Sequence, residues 1–508
     1  MREIILSPSS RNAPFVDWLT NCEAFYIYTC PEERSAAFFA VGRIMATGIP
    51  VAVLTTSGTA AGELLPAAME AFYSSLPLLL VTADRPRRFR GTGAPQSALQ
   101  ERLFGPYTPH AEDLEGSENC NLHKWDQRHP AHLNICLEEP EKIPLRSTLS
   151  IDPSFKGIAH VSPYHQTHSS KQIQSFLQRS QYPFVIVGAL RPHARLWVRQ
   201  FLLNSQLPVY LESLSGLRED PLLAGLAIRD VQEWKKCAAQ AHYPIDGVLR
   251  LGGVPTARLW RDLEEAVIPL LSISEAPFPG TCQGEFIQMA YCELPSFTGS
   301  CKADCWLTAD KERQKRLEKL FTQEPLAEPS LIHTLSQRIH PGARVYLGNS
   351  LPIREWDFAA SYASKQLSCF ANRGMNGIDG QISSFLGVSG EKGENWGLIG
   401  DLTALYDFAG LWLAGQLSSR HLQLVIINNK GGKIFQKIFT HSIFQNTHQL
   451  SFAPYADFWG WEYALCEGDL PSTSTQENSR KPKLLELIPC PQATERFWKL
   501  YDQMRSIM

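Results

Sequence analysis

With 508 residues, the chain is too long for one hydrophobic core and calls for roughly two to four domains. An apolar content of 44% against 19% charged residues excludes a disordered polymer, and a formal net charge of −3 gives no reason to expect nucleic acid or an anionic membrane as partner. No apolar stretch nears the roughly 20 residues of a membrane span, the opening MREIILSPSSR lacks a signal-type apolar segment, and the 12 cysteines show neither a C-x-x-C pair nor zinc spacing, so a cytoplasmic chain with reduced thiols is expected.

Taken in order, the chain first alternates strands with polar, turn-rich loops. Residues 3–6 read as a strand ending in SPSSR (7–11), and 24–28 as a second, followed by PEER (31–34) and a small-residue helix over 35–46. A strand at 50–54 runs into TTSGT (55–59) and a helix to about Tyr73; the strand 78–82 closes in ADRP (83–86), and a last strand lies near 132–137. This pattern predicts an α/β domain over 1–150 whose functional edge carries the loops. From Glu138 to about Ser170, proline, serine and histidine rise and periodicity fades, as in a linker. A second α/β unit, 171–321, has strands at 184–187, 208–211, 247–251 and 268–273 and ends in a charged helix, 310–321. It contains no G-x-G-x-x-G, so a structural role is preferred to a dinucleotide site.

The third unit, 326–508, opens with a helix near 331–339 and a strand, 344–347, leading into Gly348-Asn349-Ser350. A strand at 368–371 precedes NRGMNGIDG (372–380). A short apolar run, 396–399, then closes in Gly400-Asp401, a helix-compatible stretch covers 403–416, and a second apolar run, 422–427, ends in NNKGG (428–432). This predicts a right-handed βαβ unit with parallel strands. A Ser/Thr/Lys-rich insert, 471–483, is expected to be a surface loop, and no solenoid repeat is present. The expected architecture is α/β, with three doubly wound parallel-sheet domains.

Ligands of such sheets sit beyond the carboxyl ends of the strands, which brings Asp401 and Asn429 toward one point. A carboxylate, an amide oxygen and a backbone carbonyl are hard donors suited to Mg²⁺, with phosphate or water completing the shell. The plainer alternative for Asp401 is a helix cap. Glu33 alone reads as a first-turn glutamate favoured by the helix dipole. Arg11, Arg85, Arg354 and Arg373 each lie in a Gly/Ser/Asn/Pro-rich loop after a strand; together they point to carboxylate recognition through the guanidinium fork. Ser10, Gln96, Asn349 and Ser350 add neutral hydrogen bonds, and so much positive charge expects substrates with several carboxylates.

Gly400-Asp401 followed by Asn428-Asn429 resembles the diphosphate-and-metal signature of thiamine-diphosphate enzymes. SPSSRNAP (7–14), EER (32–34), TSGT (56–59), TADRP (82–86), GNSLPIR (348–354), NRGMNGIDG (372–380), GDLTALYD (400–407) and NNKGGKIF (428–435), in that order, are similar to one family among them, the menaquinone-pathway 2-succinyl-5-enolpyruvyl-6-hydroxy-3-cyclohexene-1-carboxylate synthases. The likeness is dense in the first and third units and weak in the second.

The resemblance implies pyrimidine-binding, central, and diphosphate- and metal-binding domains, in a homodimer or dimer of dimers with the cofactor between the first domain of one subunit and the third of its partner. It implies decarboxylation of 2-oxoglutarate and conjugate addition of the succinyl unit to isochorismate, with thiamine diphosphate and Mg²⁺ or Mn²⁺. Glu33 would bind the aminopyrimidine ring and drive the tautomer that deprotonates the thiazolium. Asp401, Asn429 and the Gly431 carbonyl would bind the metal. Thr56, Leu402 and Thr403 would add cofactor contacts, and Ile434 would hold the cofactor bent with Phe435 beside it, although both residues taken alone read as core. Ser10, Arg11, Gln96, Asn349, Ser350, Arg354 and Arg373 match substrate positions, with Arg354 and Arg373 also catalytic; Arg85 joins the same pocket, and Arg258 stands where the family has a lysine or arginine. The chain departs from the family in starting almost at its first strand and in the insert after Cys466. The rival enzyme is another thiamine-diphosphate 2-oxoacid decarboxylase or an acetolactate-synthase-like enzyme, which has no need for Arg11, Arg354 and Arg373 together. The non-enzyme rival is a cofactor-binding regulatory protein.

Overall fold

The computed structural model describes residues 1–116, 118–139, 167–265, 267–299, 302–419, 421–436, 439, 441–468 and 481–506. Most of the expected linker and most of the 471–483 insert lie outside the described residues.

The described strands form three sheets. The first holds β1 (Glu3–Leu6), β2 (Tyr26–Thr29), β3 (Val51–Thr55), β4 (Leu78–Asp84), β5 (His110–Glu115) and β6 (Ala131–Cys136), in the order β2-β1-β3-β4-β6-β5. The second holds β7 (Pro183–Val187), β8 (Val209–Leu211), β9 (Gly247–Leu251), β10 (Leu270–Ser274) and β11 (Glu285–Gln288), ordered β11-β10-β9-β7-β8. The third holds β12 (Arg344–Leu347), β13 (Ser368–Phe370), β14 (Asn395–Gly400), β15 (Leu422–Ile427), β16 (Glu462–Cys466) and β17 (Lys483–Leu487), ordered β13-β12-β14-β15-β17-β16. Numbered from its own first strand, the third sheet repeats the order of the first, a kinship that the residues themselves do not display. Every pairing between these strands is parallel.

Parallel sheets covered on both faces need strands that are apolar throughout. All residues of β3, β4, β7 and β9 are accordingly buried. Each leucine or valine so buried contributes about 1.5–3 kcal/mol. The edge strands β5, HAEDLE, and β11, EFIQ, carry charge and are only partly buried, which is why their sequence does not announce them.

Two expected helices divide. The 59–73 stretch becomes Thr59–Gly62 and Leu65–Tyr73, the second started by a proline in its first turn. The 403–416 stretch becomes an α-helix, Asp401–Tyr406, and a 3₁₀ segment, Phe408–Gln416. Asp407 makes the break at φ −113° and ψ 39°, because its buried carboxylate accepts from the Ser383 N–H at 2.8 Å and from the Ser35 and Ser383 hydroxyls at 3.1 Å.

The first and third units share a core. Helix Glu33–Thr47 lies against helix Gln381–Val388, and a Cβ on Gly42 would stand 2.3 Å from the Ser384 carbonyl oxygen, while one on Gly387 would stand 2.3 Å from that of Phe39. Only glycine permits that backbone approach. The second unit is tied to the third through Asp357, which accepts from the Tyr210 hydroxyl and, at 2.8 Å each, from the Ser213 N–H and hydroxyl. Asp357 sits on helix Leu351–Ala359, the helix that carries Arg354. Among the described residues, no helix is long and apolar enough to cross a membrane.

Candidate active site

In a sheet of this order the chain turns from one side to the other between its first and third strands, and a crevice opens beyond their carboxyl ends. In the third sheet those strands are β12 and β14. A cavity of about 310 Å³ lies there, lined by Ser350 after β12, Asp401, Leu402 and Thr403 after β14, and Asn429, Gly431, Ile434 and Phe435 after β15. Arg354 and Arg373 complete the wall. The expected convergence of Asp401 and Asn429 is thus present.

Asp401 accepts from the Leu402 N–H through Oδ1 at 2.7 Å and from the Gly431 N–H through Oδ2 at 2.9 Å. Burial raises its carboxyl above the ordinary value, and these N–H donors oppose the rise. The turn that returns to it depends on glycine: Gly431 has φ 131°, and a Cβ there would stand 2.4 Å from the Gln445 carbonyl oxygen. A partly desolvated carboxylate, an amide and a close-approaching backbone form an all-oxygen donor set that suits a hard divalent cation. The residues therefore fit the metal and diphosphate that the signature implies.

Arg354 and Arg373 are the cationic wall. Burial, then repulsion from Arg373 and Arg261, pushes Arg354 down to about 10. Burial also lowers Arg373, with Glu212 and Glu70 opposing. Arg373 Nη1 donates to Asn349 Oδ1 at 3.0 Å, while its Nε is buried without a protein partner. Two desolvated guanidinium groups, one with a buried Nε that has no protein partner, suit an anionic ligand. Ser350, at φ 74°, gives its carbonyl to Arg354 Nη1, so the loop holds that arginine by a strained residue.

Asn349 does not line the cavity. Its amide nitrogen donates to the carbonyls of Asn372 at 2.9 Å and Gly377 at 2.8 Å, and its oxygen holds Arg373. Arg258 is also away from it: its side chain is 69% exposed and lies 3.4 Å from Asp262, whereas Arg261, one helical turn on, is close enough to bear on Arg354.

The first-unit residues form a separate group at the carboxyl edge of their own sheet, and Ser10, Arg11, Glu33, Thr56, Arg85 and Gln96 are not part of the cavity lining. Arg11 and Arg85 both hold the Glu139 carboxylate, Arg85 at 3.1 Å, so one carboxylate already bridges the two guanidinium groups. The Thr56 hydroxyl is buried without a partner. Capping of helix Glu33–Thr47 falls to Glu32, which accepts from the Ser35 N–H at 2.8 Å. Glu33 stands half-buried beside it, its carboxyl raised by burial against the pull of its own N–H and further raised by Glu32 and Glu63.

Several residues at this site carry no sequence signal. Glu70, fully buried in the first unit, accepts from the Gly374 and Met375 N–H groups at 2.7 Å each and so pins the loop bearing Arg373. His448 Nε2 lies 3.2 Å from Asp401 Oδ2. Glu328 accepts from Asn429. Each comes from a distant stretch with no motif of its own. Glu70→Ala leaves two buried N–H donors unpaired, at about 1–3 kcal/mol each; we expect a lower melting temperature than wild type, measured by thermal denaturation. Elsewhere, Asp84, Asp113 and Cys136 come within ligand distance of one another. Hydrogen bonds from Arg90, Asn134 and Arg87 outweigh burial and hold Asp113 well below the usual carboxylate range, so this group is an ion-pair network already neutralised.

Residues 1–103 match the thiamine pyrophosphate enzyme family's N-terminal TPP binding domain. A 2-succinyl-5-enolpyruvyl-6-hydroxy-3-cyclohexene-1-carboxylate synthase from Bdellovibrio bacteriovorus is 40% identical across 99% of this chain and 96% of its own. Synthases of the same name from Akkermansia muciniphila and Lysinibacillus sphaericus are 36% and 30% identical, across 97% and 96% of this chain and 94% and 89% of theirs. With its three parallel-sheet units and the glycine-rich Asp/Asn corner, the molecule is a thiamine-diphosphate-dependent enzyme. Within that class, the chain belongs to the 2-succinyl-5-enolpyruvyl-6-hydroxy-3-cyclohexene-1-carboxylate synthase family.

Proposed function

We propose that this enzyme decarboxylates 2-oxoglutarate and adds the succinyl unit to isochorismate in menaquinone biosynthesis, forming the product for which its relatives are named. The observation that carries the proposal is the placing of Arg354 and Arg373 in one cavity with the Asp401–Asn429–Gly431 corner. An acetolactate-synthase-like enzyme needs the corner but not the paired arginines.

Asp401, Asn429 and the Gly431 carbonyl would hold Mg²⁺ or Mn²⁺, and Leu402 and Thr403 would flank the diphosphate. When bound, thiamine diphosphate supplies the electron sink that decarboxylation of a 2-oxo acid requires. Arg354 and Arg373 hold substrate carboxylates by charge-assisted bonds that gain strength as water is excluded. Ile434 and Phe435 give the cavity its apolar side. Glu33, its carboxyl raised by burial, would hydrogen-bond the cofactor's aminopyrimidine ring and move the proton that activates it.

The units, taken as 1–150, 171–321 and 326–508, leave Glu33 outside the cavity of its own chain. We read the site as completed by the first unit of a second copy, which brings Glu33, Ser10, Arg11, Thr56, Arg85 and Gln96 to it. Phe435, Phe439, Phe444, Ile443 and Leu450 are 39–69% exposed beside the cavity, an apolar surface suited to that partner. A homodimer or a dimer of dimers follows, working in the cytoplasm.

The test supplies the purified protein with thiamine diphosphate, Mg²⁺ and 2-oxoglutarate, with and without isochorismate. CO₂ release coupled to isochorismate loss is expected. CO₂ without isochorismate loss favours the rival 2-oxoacid decarboxylase, and neither signal overturns the assignment.

A further inference from the structure

We propose that Glu328 is a positioning residue that fixes the Asn429 amide with its oxygen, not its nitrogen, toward the cation position; this rests on reading the Asp401–Asn429–Gly431 corner as a metal site. An asparagine amide has one acceptor end and one donor end of nearly equal shape, and only the oxygen ligates a hard cation. Something must therefore decide which end faces the cavity.

Glu328 opens helix Glu328–Arg338 and is 4% exposed. Its Oε1 accepts from Asn429 Nδ2 at 2.9 Å, and its own N–H donates to the Thr494 hydroxyl at 3.0 Å, so both its backbone and its carboxyl are held. Behind it lies Glu355, on helix Leu351–Ala359 and 5% exposed, with its Oε2 buried without a partner; burial raises the carboxyl groups of both. A carboxylate oxygen is an acceptor only. Glu328 Oε1 therefore needs a donor. Asn429 can satisfy it only by presenting its NH₂, which leaves Oδ1 for the cavity.

Burying two acids against each other costs several kcal/mol in desolvation, and an apolar pair of the same volume would fold at least as well. The polarity that the pair imposes on Asn429 is what that cost secures. Partners that orient metal ligands typically affect metal affinity by about 10–100-fold.

The test is Mg²⁺ titration of the full chain by calorimetry, in saturating thiamine diphosphate, comparing wild type with Glu328→Gln, Glu328→Leu and Asn429→Ala. Glutamine keeps a carbonyl acceptor for Asn429 and turns its NH₂ to Glu355, so affinity within about 3-fold of wild type is expected. Leucine removes the acceptor, and a loss of about 10–100-fold, approaching that of Asn429→Ala, is expected. Should Glu328→Leu fail to fold by circular dichroism, Glu328→Ala carries the same comparison, since it also removes the acceptor. The proposal is overturned if the leucine variant binds Mg²⁺ like wild type, or if glutamine is as damaging as leucine. Wild-type affinity in Asn429→Ala would instead overturn the metal-site reading beneath it.

Discussion

Co-expressing Glu33→Gln and Asp401→Ala chains is expected to restore roughly a quarter of wild-type turnover, although each variant alone is inactive. Removing Glu33's acid function costs about 10²–10⁴-fold in rate. Removing Asp401 takes away the carboxylate of the cation corner, and with it metal-dependent cofactor binding. If the catalytic site joins the first unit of one chain to the third unit of another, a mixed dimer has one site with both changes and one with neither. Random pairing makes about half of the dimers mixed, and half of their sites intact. A site built within one chain carries one lesion in every copy and stays at background. Activity at background in the co-expressed sample, with mixed dimers demonstrated by two affinity tags, would therefore sink the shared-site reading. Calorimetry separates the two lesions: thiamine diphosphate with Mg²⁺ should still bind to Glu33→Gln and should fail to bind to Asp401→Ala.

The parts of this architecture that the sequence announces are those with a local cause. β9, β12 and β15 fall on the bounds read from their mostly apolar runs, because central parallel strands are buried on both faces. Asp401, Asn429 and Gly431 are legible for a similar reason: each sits at a strand end, where loop geometry and ligand chemistry coincide. Arg354 and Arg373 were found by the same rule. Asn349 was found by it too, yet its side chain turns inward to hold Arg373, which strand-end position alone does not foretell.

What escaped the sequence was set by packing between distant segments. Glu70 reaches Gly374, and Glu328 reaches Asn429, across long separations that leave no periodic trace. Asp407 broke an expected helix because its carboxylate was drawn to Ser383 and Ser35, a choice made by the interface between units. Arg258 shows the converse: its match to a basic family position places it near substrate, yet it lies exposed against Asp262, and Arg261 of helix Leu259–Glu264 bears on Arg354 instead.

Arg373→Ala is expected to lower kcat/KM for 2-oxoglutarate by at least about 30-fold while leaving thiamine-diphosphate affinity within about 3-fold of wild type. Losing one partner of a buried, hydrogen-bonded charge pair costs about 2–5 kcal/mol, and each 1.4 kcal/mol is a factor of ten. The loss should exceed that of an exposed arginine because Arg373 is held in place before substrate arrives: Glu70 fixes the N–H groups on its C-terminal side, and Asn349 fixes one arm of its guanidinium. That preparation lowers the ordering cost of binding. Arg373→Lys should recover little, since an ammonium cannot hold Asn349 and a carboxylate with one planar fork. Arg373→Ala also removes the repulsion that helps push Arg354 down to about 10, so Arg354 becomes more firmly cationic without replacing the lost geometry. Arg354→Ala and Arg373→Ala combined should then cost less than the product of their separate effects, because both arms serve one ligand. Unchanged turnover of 2-oxoglutarate in Arg373→Ala would remove the carboxylate role and return the cavity to the wider class of 2-oxoacid decarboxylases.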